Sequence, residues 1–114
     1  MLGSVLKKVD ATFPPRVLHR RPEKQAVVDQ ATASMAVYEF DACPFCVRLR
    51  RTMRRLSLNI ELRDALNDQV IAGELIREGG QRQVPCLRII ESDGSVRWMY
   101  ESKDIIRYLE KRFA

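Results

Sequence analysis

Apolar residues in the first 33 positions form only short patterns, which predict two helices. Four of them lie at helical spacing and predict one amphipathic face: Leu2, Val5, Leu6 and Val9. The pair Pro14-Pro15 ends this segment. Pro22 is suited to the first position of a second helix, which we expect to reach about Thr32. Its thin apolar face consists of Ala26, Val27 and Ala31.

Beyond residue 34 the pattern alternates between strand and helix periodicity. The predicted elements are a strand at about 36–40, a helix at about 44–57, a strand at 59–63, a helix from Asp68 to about Glu78, strands at 86–90 and 96–100, and a last helix that Ser102 can cap. Gly79-Gly80 ends the second of these helices, and Asp93-Gly94 predicts a hairpin turn. The last helix has a buried stripe of Ile105, Ile106, Leu109 and Phe113.

The order of the predicted elements is β-α-β-α-β-β-α. Two strands linked through a helix are expected to be parallel, whereas the last two strands form an antiparallel hairpin. We therefore predict an α/β fold with a mixed four-stranded sheet flanked by helices. A chain of 114 residues with 46% hydrophobic residues suits one such domain, preceded by an extension at residues 1–33.

The composition indicates the cellular compartment in which the protein is expected. No run approaches the ~20 apolar residues of a membrane span, and no secretory signal precedes the domain. Three cysteines do not suit a disulfide framework. We therefore expect a soluble, monomeric protein in the reducing cytoplasm.

The net charge of +5 is unevenly distributed, because the first 33 residues carry six basic and three acidic side chains. Aromatic residues do not interleave with a basic patch, so no nucleic-acid partner is expected.

The arginines between 48 and 55 suit a solvated helix face, with anion binding as the alternative. The basic, partly helical extension is expected to pack on the domain, with weak contact to a membrane surface or a partner as the alternative.

The candidate chemistry lies in Cys43-Pro44-Phe45-Cys46, between the first strand and the first helix of the domain. A helix N-terminus has unpaired N–H groups and partial positive charge, which lower the pKa of a thiol placed there. This placement predicts a redox-active pair.

A zinc site needs about four ligands, and only Cys86 and His19 remain, so no metal is expected. Cys86 is interpreted as a buried small residue, with a regulatory thiol as the alternative.

The C-P-F-C motif and Val84-Pro85 at the start of the third strand together resemble the glutaredoxins of the thioredoxin superfamily, over residues 35–114. Tyr100-Glu101-Ser102 is similar instead to the glutathione-binding Glu-Ser corner of glutathione transferase N-terminal domains. Phe40 stands where many glutaredoxins have Lys, and Gln83 where they usually have Thr. The resemblance implies a thioredoxin-like fold for residues 34–114.

The resemblance also implies a glutathione-dependent thiol–disulfide oxidoreductase. Its co-substrate would be glutathione, and its partners would be glutathionylated or disulfide-bearing proteins. Cys43 would be the nucleophile and Cys46 the resolving thiol. A cis Val84-Pro85 bond would expose the backbone of Val84 to the cysteine of glutathione. Phe45 would form an apolar wall, and the polar contacts to glutathione would come from Arg82, Glu101 and Ser102, with Gln81 and Arg48 as further candidates.

Two other functions remain open at this point. An iron–sulfur carrier would bridge two subunits through Cys43 and glutathione, although Pro44 and Phe45 are bulkier than the residues usual in cluster-binding relatives. A non-redox glutathione-binding module is the second. Both would use the same cleft without the dithiol chemistry.

Overall fold

The computed structural model describes residues 16–114, so the predicted helix at residues 2–9 and the Pro14-Pro15 pair lie outside the described part of the chain. The elements are α1 Pro22–Thr32, β1 Met35–Glu39, α2 Pro44–Arg55, β2 Glu61–Asp64, α3 Gln69–Glu74 with a π-helical turn at Leu75–Gly79, β3 Cys86–Ile90, β4 Val96–Met99 and α4 Ser102–Phe113. The predicted β-α-β-α-β-β-α order, with a helix before it, is confirmed. No helix within residues 16–114 is long and apolar enough to cross a membrane.

The strands described form one mixed sheet in the order β2-β1-β3-β4. β1 pairs in parallel with β2 and antiparallel with β3, as β3 does with β4. All five residues of the central strand β1 are buried, because helices cover both of its faces. Tyr38 near the end of β1 lies opposite Cys86 at the start of β3. The antiparallel register therefore brings the C-x-x-C segment and Pro85 to the same edge of the sheet.

A core forms on each face of the sheet. The larger core lies between β1, β3 and the helices α2 and α4, and Leu49, Leu87, Ile105 and Leu109 are among its fully buried members. The predicted stripe of α4 is confirmed, with Ile106 only partly buried. The smaller core lies under α3 and consists of Ala36, Tyr38, Ala65, Leu75 and Cys86. Cys86 is 0% exposed, which confirms its interpretation as a buried residue.

Helix α1 has the predicted bounds, but the predicted apolar face is wrong in two of its three residues. Val27 is 67% exposed and Ala26 is also exposed, whereas Val28 and Ala31 pack against the larger core. The side chain of Gln25 donates to the carbonyl of Ser57 at 2.9 Å. Because the apolar face is thin, polar anchors of this kind determine which side of α1 faces the domain.

Backbone geometry explains most of the element ends. Gly80 has φ 93° and closes the π-helical turn, and Gly94 has φ 89° in the β3–β4 turn, so both adopt a conformation that glycine favours. The side chain of Asp68 accepts hydrogen bonds from two backbone N–H groups of α3. The predicted cap of the last helix is displaced by one residue: Glu101 occupies the N-cap position, where its side chain makes no capping hydrogen bond, and Ser102 is the first helical residue.

Candidate active site

The two thiols of the C-x-x-C segment lie in different environments at the start of α2. Cys43 is the N-cap residue and is partly exposed, whereas Cys46 lies in the first turn and is 1% exposed. Pro44 occupies the first helical position, where its missing N–H leaves no donor unpaired. The N–H of Cys43 donates to the carbonyl of Phe40 at 3.2 Å, which turns the chain from β1 into the helix. The fold therefore exposes one sulfur and shields the other.

The environments shift the two pKa values in opposite directions. Burial raises the pKa of Cys43. Hydrogen bonds from the backbone N–H and the thiol of Cys46 and from the N–H of Phe45, together with the charge of Arg50, outweigh this effect, so that the pKa is lowered overall. Burial raises the pKa of Cys46 to about 11, with further contributions from Cys43 and the charge of Glu39. At neutral pH, Cys43 is thus the better nucleophile and Cys46 holds its proton.

An ion pair behind these thiols was not predicted from the sequence. Arg50 on α2 donates to the carboxylate of Glu39 at the end of β1 and, at 2.7 Å, to the carbonyl of Asp41. Glu39 is 7% exposed, so its charge is buried and paired. The arginines between 48 and 55 were expected to lie on a solvated helix face. Arg48 and Arg54 are exposed, as expected, whereas Arg50 is half-buried. The sequence signal for this ion pair was Glu39 itself, a carboxylate at the end of an apolar strand.

A cleft with a volume of about 180 Å³ lies beside the C-x-x-C segment. The cleft brings together predicted site residues from three separate parts of the chain. It also contains Gln83 and Tyr100, which were not predicted to contact a ligand. The complete lining is Phe45, Gln83, Val84, Pro85, Tyr100, Glu101 and Ser102. The Val84-Pro85 bond is cis, as the family resemblance implied. The side-chain amide of Gln83 lies 3.5 Å from a carboxylate oxygen of Glu101, so the two rims of the cleft touch.

The remaining candidates lie outside the lining of the cleft. The guanidinium of Arg82 lies over the ring of Phe40, 5.5 Å from its centroid. Gln81 contributes its carbonyl, which accepts from the hydroxyl of Tyr100 at 3.4 Å. Arg48 is exposed on α2. Within residues 16–114 no cluster of three or more His, Cys, Asp or Glu side chains could hold a metal ion.

Solved structures show to which class of fold this sheet and its flanking helices belong. The structure of a buckwheat glutaredoxin–glutathione complex matches with a TM-score of 0.54 and 16% identity, covering 82% of this chain and 88% of that chain. Glutathione transferase E6 from Drosophila melanogaster matches with a TM-score of 0.53 and 27% identity, covering 70% of this chain and 35% of that chain. The protein therefore has a thioredoxin-like fold.

Sequence comparison narrows this class to a family. The glutaredoxin family profile matches residues 35–92. Glutaredoxin 2 of Escherichia coli strain K12 is 39% identical over 77 residues, which cover 68% of this chain and 33% of that protein. The chain belongs to the glutaredoxin family, and its match spans about a third of the length of that curated relative.

Proposed function

We propose that the protein is a glutathione-dependent oxidoreductase that reduces protein–glutathione mixed disulfides and protein disulfides through Cys43 and Cys46. The observation that carries the proposal is the asymmetry of the two thiols beside a cleft lined by Val84, Glu101 and Ser102. Membership of the glutaredoxin family supports thiol oxidoreductase chemistry in general.

Deglutathionylation needs only Cys43. Its thiolate attacks the glutathione sulfur of a mixed disulfide, the bond between that sulfur and the substrate protein breaks, and the substrate leaves as a thiolate that takes a proton from water. The enzyme now carries a Cys43–glutathione disulfide. The thiolate of a second glutathione attacks the glutathione sulfur, which releases oxidised glutathione and restores the Cys43 thiolate.

Reduction of a protein disulfide requires Cys46 as well. Cys43 first forms a mixed disulfide with one substrate sulfur, and Cys46 then attacks the sulfur of Cys43 and releases the reduced substrate. The negative charge of Cys43 contributes to the raised pKa of Cys46. Because that charge disappears when Cys43 enters a disulfide, the pKa of Cys46 falls at the step that needs its thiolate. Two glutathione molecules then reduce the Cys43–Cys46 disulfide and leave as oxidised glutathione.

The cleft offers complementary groups for each part of glutathione. The backbone of Val84 would pair with its cysteine, and the free N–H groups at the start of α4, with Ser102, would bind the γ-glutamyl carboxylate. Glu101 would face the ammonium group. Phe45 would form the apolar wall, and Arg82, held against Phe40, would reach the glycine carboxylate. The related buckwheat protein, whose structure contains glutathione, supports this choice of ligand.

Two cysteine variants test the proposal. Cys43→Ser removes the nucleophile and is expected to abolish both activities. Cys46→Ser is expected to retain deglutathionylation and to lose most reduction of protein disulfides. The measurement is the release of glutathione from a glutathionylated peptide, beside reduction of a disulfide-bonded protein. Full deglutathionylation by the C43S variant would contradict the proposal.

We further propose that residues 34–114 form the catalytic domain, preceded by the extension at 1–33. The proposed reaction consumes reduced glutathione, which supports a cytoplasmic location. A monomer suffices, since both thiols and the lining of the cleft come from one chain.

A further inference from the structure

Tyr100 lines the cleft, although the proposed chemistry does not use it. It follows β4 directly and contributes to the lining together with Pro85 and Glu101. Its ring also packs against the smaller core, so Tyr100 joins the cleft to the interior. A residue in that position can transmit the rigidity of the core to a surface loop.

The hydroxyl of Tyr100 is attached to the loop before β3. It donates to the carbonyl of Gln81 at 3.4 Å, and Gln81 begins the loop that leads to Val84. The ring of Tyr100 packs against the smaller core, which includes the fully buried Cys86 of β3. Tyr100 therefore connects this loop to the sheet.

The absence of a side chain at residue 79 makes room for this arrangement. A Cβ atom at Gly79 would collide with the hydroxyl of Tyr100 and would lie 2.9 Å from Cε3 of Trp98. Trp98 packs in turn on Tyr38 with ring centroids 5.5 Å apart. Gly79 therefore leaves free the space that the hydroxyl of Tyr100 occupies.

We propose that Tyr100 is a positioning residue that makes the cleft selective for glutathione. Its hydroxyl holds the 81–84 loop so that the backbone of Val84 stays available to the ligand. The role rests on the proposed glutathione-dependent function. It predicts that Tyr100 affects recognition of the glutathionyl group rather than the reactivity of Cys43.

The test is Tyr100→Phe, which removes the hydroxyl and keeps the ring. Loss of one hydrogen bond is expected to raise KM for a glutathionylated peptide about two- to tenfold, with kcat unchanged. KM for the same peptide carrying a disulfide-linked cysteine is expected to stay constant, because that substrate lacks the γ-glutamyl and glycine groups. Amide hydrogen exchange at residues 82–84 of the free protein is expected to accelerate to a similar extent.

Tyr108→Phe is the matched control, since its hydroxyl accepts hydrogen bonds from Arg97 and Arg112 on the surface of β4 and α4. An unchanged KM and unchanged loop exchange in Y100F would overturn the role of Tyr100 while the wild-type protein remains active. Equal increases in KM for both peptides would also overturn it, since they would show a general loss of structure. A wild-type protein without saturable turnover of the glutathionylated peptide would instead refute the glutathione function, and the role of Tyr100 with it.

Discussion

The thiols of Cys43 and Cys46 lie one helical turn apart, yet their environments shift their pKa values in opposite directions. Cys43 meets unpaired N–H groups at the start of α2, whereas Cys46 is enclosed and faces the charge of Glu39. The resulting order of pKa values fits a nucleophile that is ready at neutral pH and a second thiol that stays protonated until needed. At the residue scale, the opposite shifts of the two pKa values therefore follow from the helix terminus and burial, and they support the proposed division of roles.

Arg50 is predicted to contribute to the reactivity of Cys43. Its charge is one cause of the lowered pKa of that thiol, so Arg50→Gln is expected to raise the pKa and to slow the reaction at neutral pH, because less thiolate is present. Titration of thiolate absorbance in a C46S background isolates Cys43, since the pKa of Cys86 is raised to about 11.

The control for this substitution is R54Q, which changes an exposed arginine on the same helix. R50Q leaves Glu39 buried without its ion-pair partner, so the double variant E39Q/R50Q tests the charge without that cost. A pKa of Cys43 in both Arg50 variants that equals the pKa in R54Q would contradict the assigned role.

At the scale of elements, Arg20 joins the extension to the ends of two helices. It donates to the carbonyl of Leu56 at 2.8 Å, just after α2, and to the carbonyl of Phe113 at the end of α4. Helix C-termini have unpaired carbonyls and partial negative charge, which a cation satisfies. The segment before α1 is therefore attached to the domain by polar contacts at two helix ends.

Arg20→Gln is predicted to destabilise the protein by about 1.5–3 kcal/mol, because charged hydrogen bonds to both carbonyls are lost. The measurement is the free energy of unfolding in urea. Arg21→Gln is the matched control, since the side chain of Arg21 is 80% exposed and lies 3.9 Å from Glu23, whose side chain is 69% exposed. Equal stability of R20Q and R21Q would show that the contacts of Arg20 with the two helix ends do not stabilise the fold.

On the scale of the whole molecule, the two faces of the sheet are stabilised differently. The core under α2 and α4 is apolar, whereas the core under α3 borders a polar network. Tyr38 donates to Glu74 at 2.5 Å and accepts from Arg88 at 3.0 Å, and Arg63 pairs with the same carboxylate at 2.9 Å. Burial raises the pKa of Tyr38 to about 12 and that of Cys86 to about 11. The α3 face is thus sensitive to alkaline pH.

Stability is predicted to fall as the pH rises above the ordinary thiol pKa of about 8.5. A pKa that is raised in the folded state means that the unfolded chain loses its proton first, so stability is complete below the unfolded pKa and is lost up to the folded one. The shift of Cys86 corresponds to about 3 kcal/mol at most. Cys86→Ser removes this titration and is expected to flatten the loss, measured by urea unfolding across the alkaline range.

Cys43→Ser provides the opposite control for this pH dependence. The pKa of Cys43 is lowered in the folded protein, so its ionisation adds stability as the pH rises and is lost as the pH falls through the folded pKa. C43S is therefore expected to remove a gain in stability that develops below the unfolded thiol pKa and to leave the slope of the alkaline loss above it unchanged. A C86S variant that loses stability as steeply as the wild type would refute the assignment to Cys86.

The order of elements was predictable because its signals are local. The alternation around β1, the stripe on α4 and the glycines at 80 and 94 each determine structure within a few residues. The C-x-x-C spacing and its place before a helix likewise indicated the chemistry. What the sequence determined by itself was therefore the α/β order and the place of the C-x-x-C motif between the first strand and the first helix of the domain.

Only the tertiary structure decided which side of α1 faces the domain, the pairing of Glu39 with Arg50, and the place of Gln83 and Tyr100 in the cleft. Each of these joins residues that are distant in sequence or whose orientation depends on a neighbouring element. Periodicity indicates burial where the apolar face is wide, as in α4, but it does not indicate the packing partner, and it failed on the thin face of α1. The identity of that partner is determined by the packing of helices and strands, and the cleft exists only after they have packed.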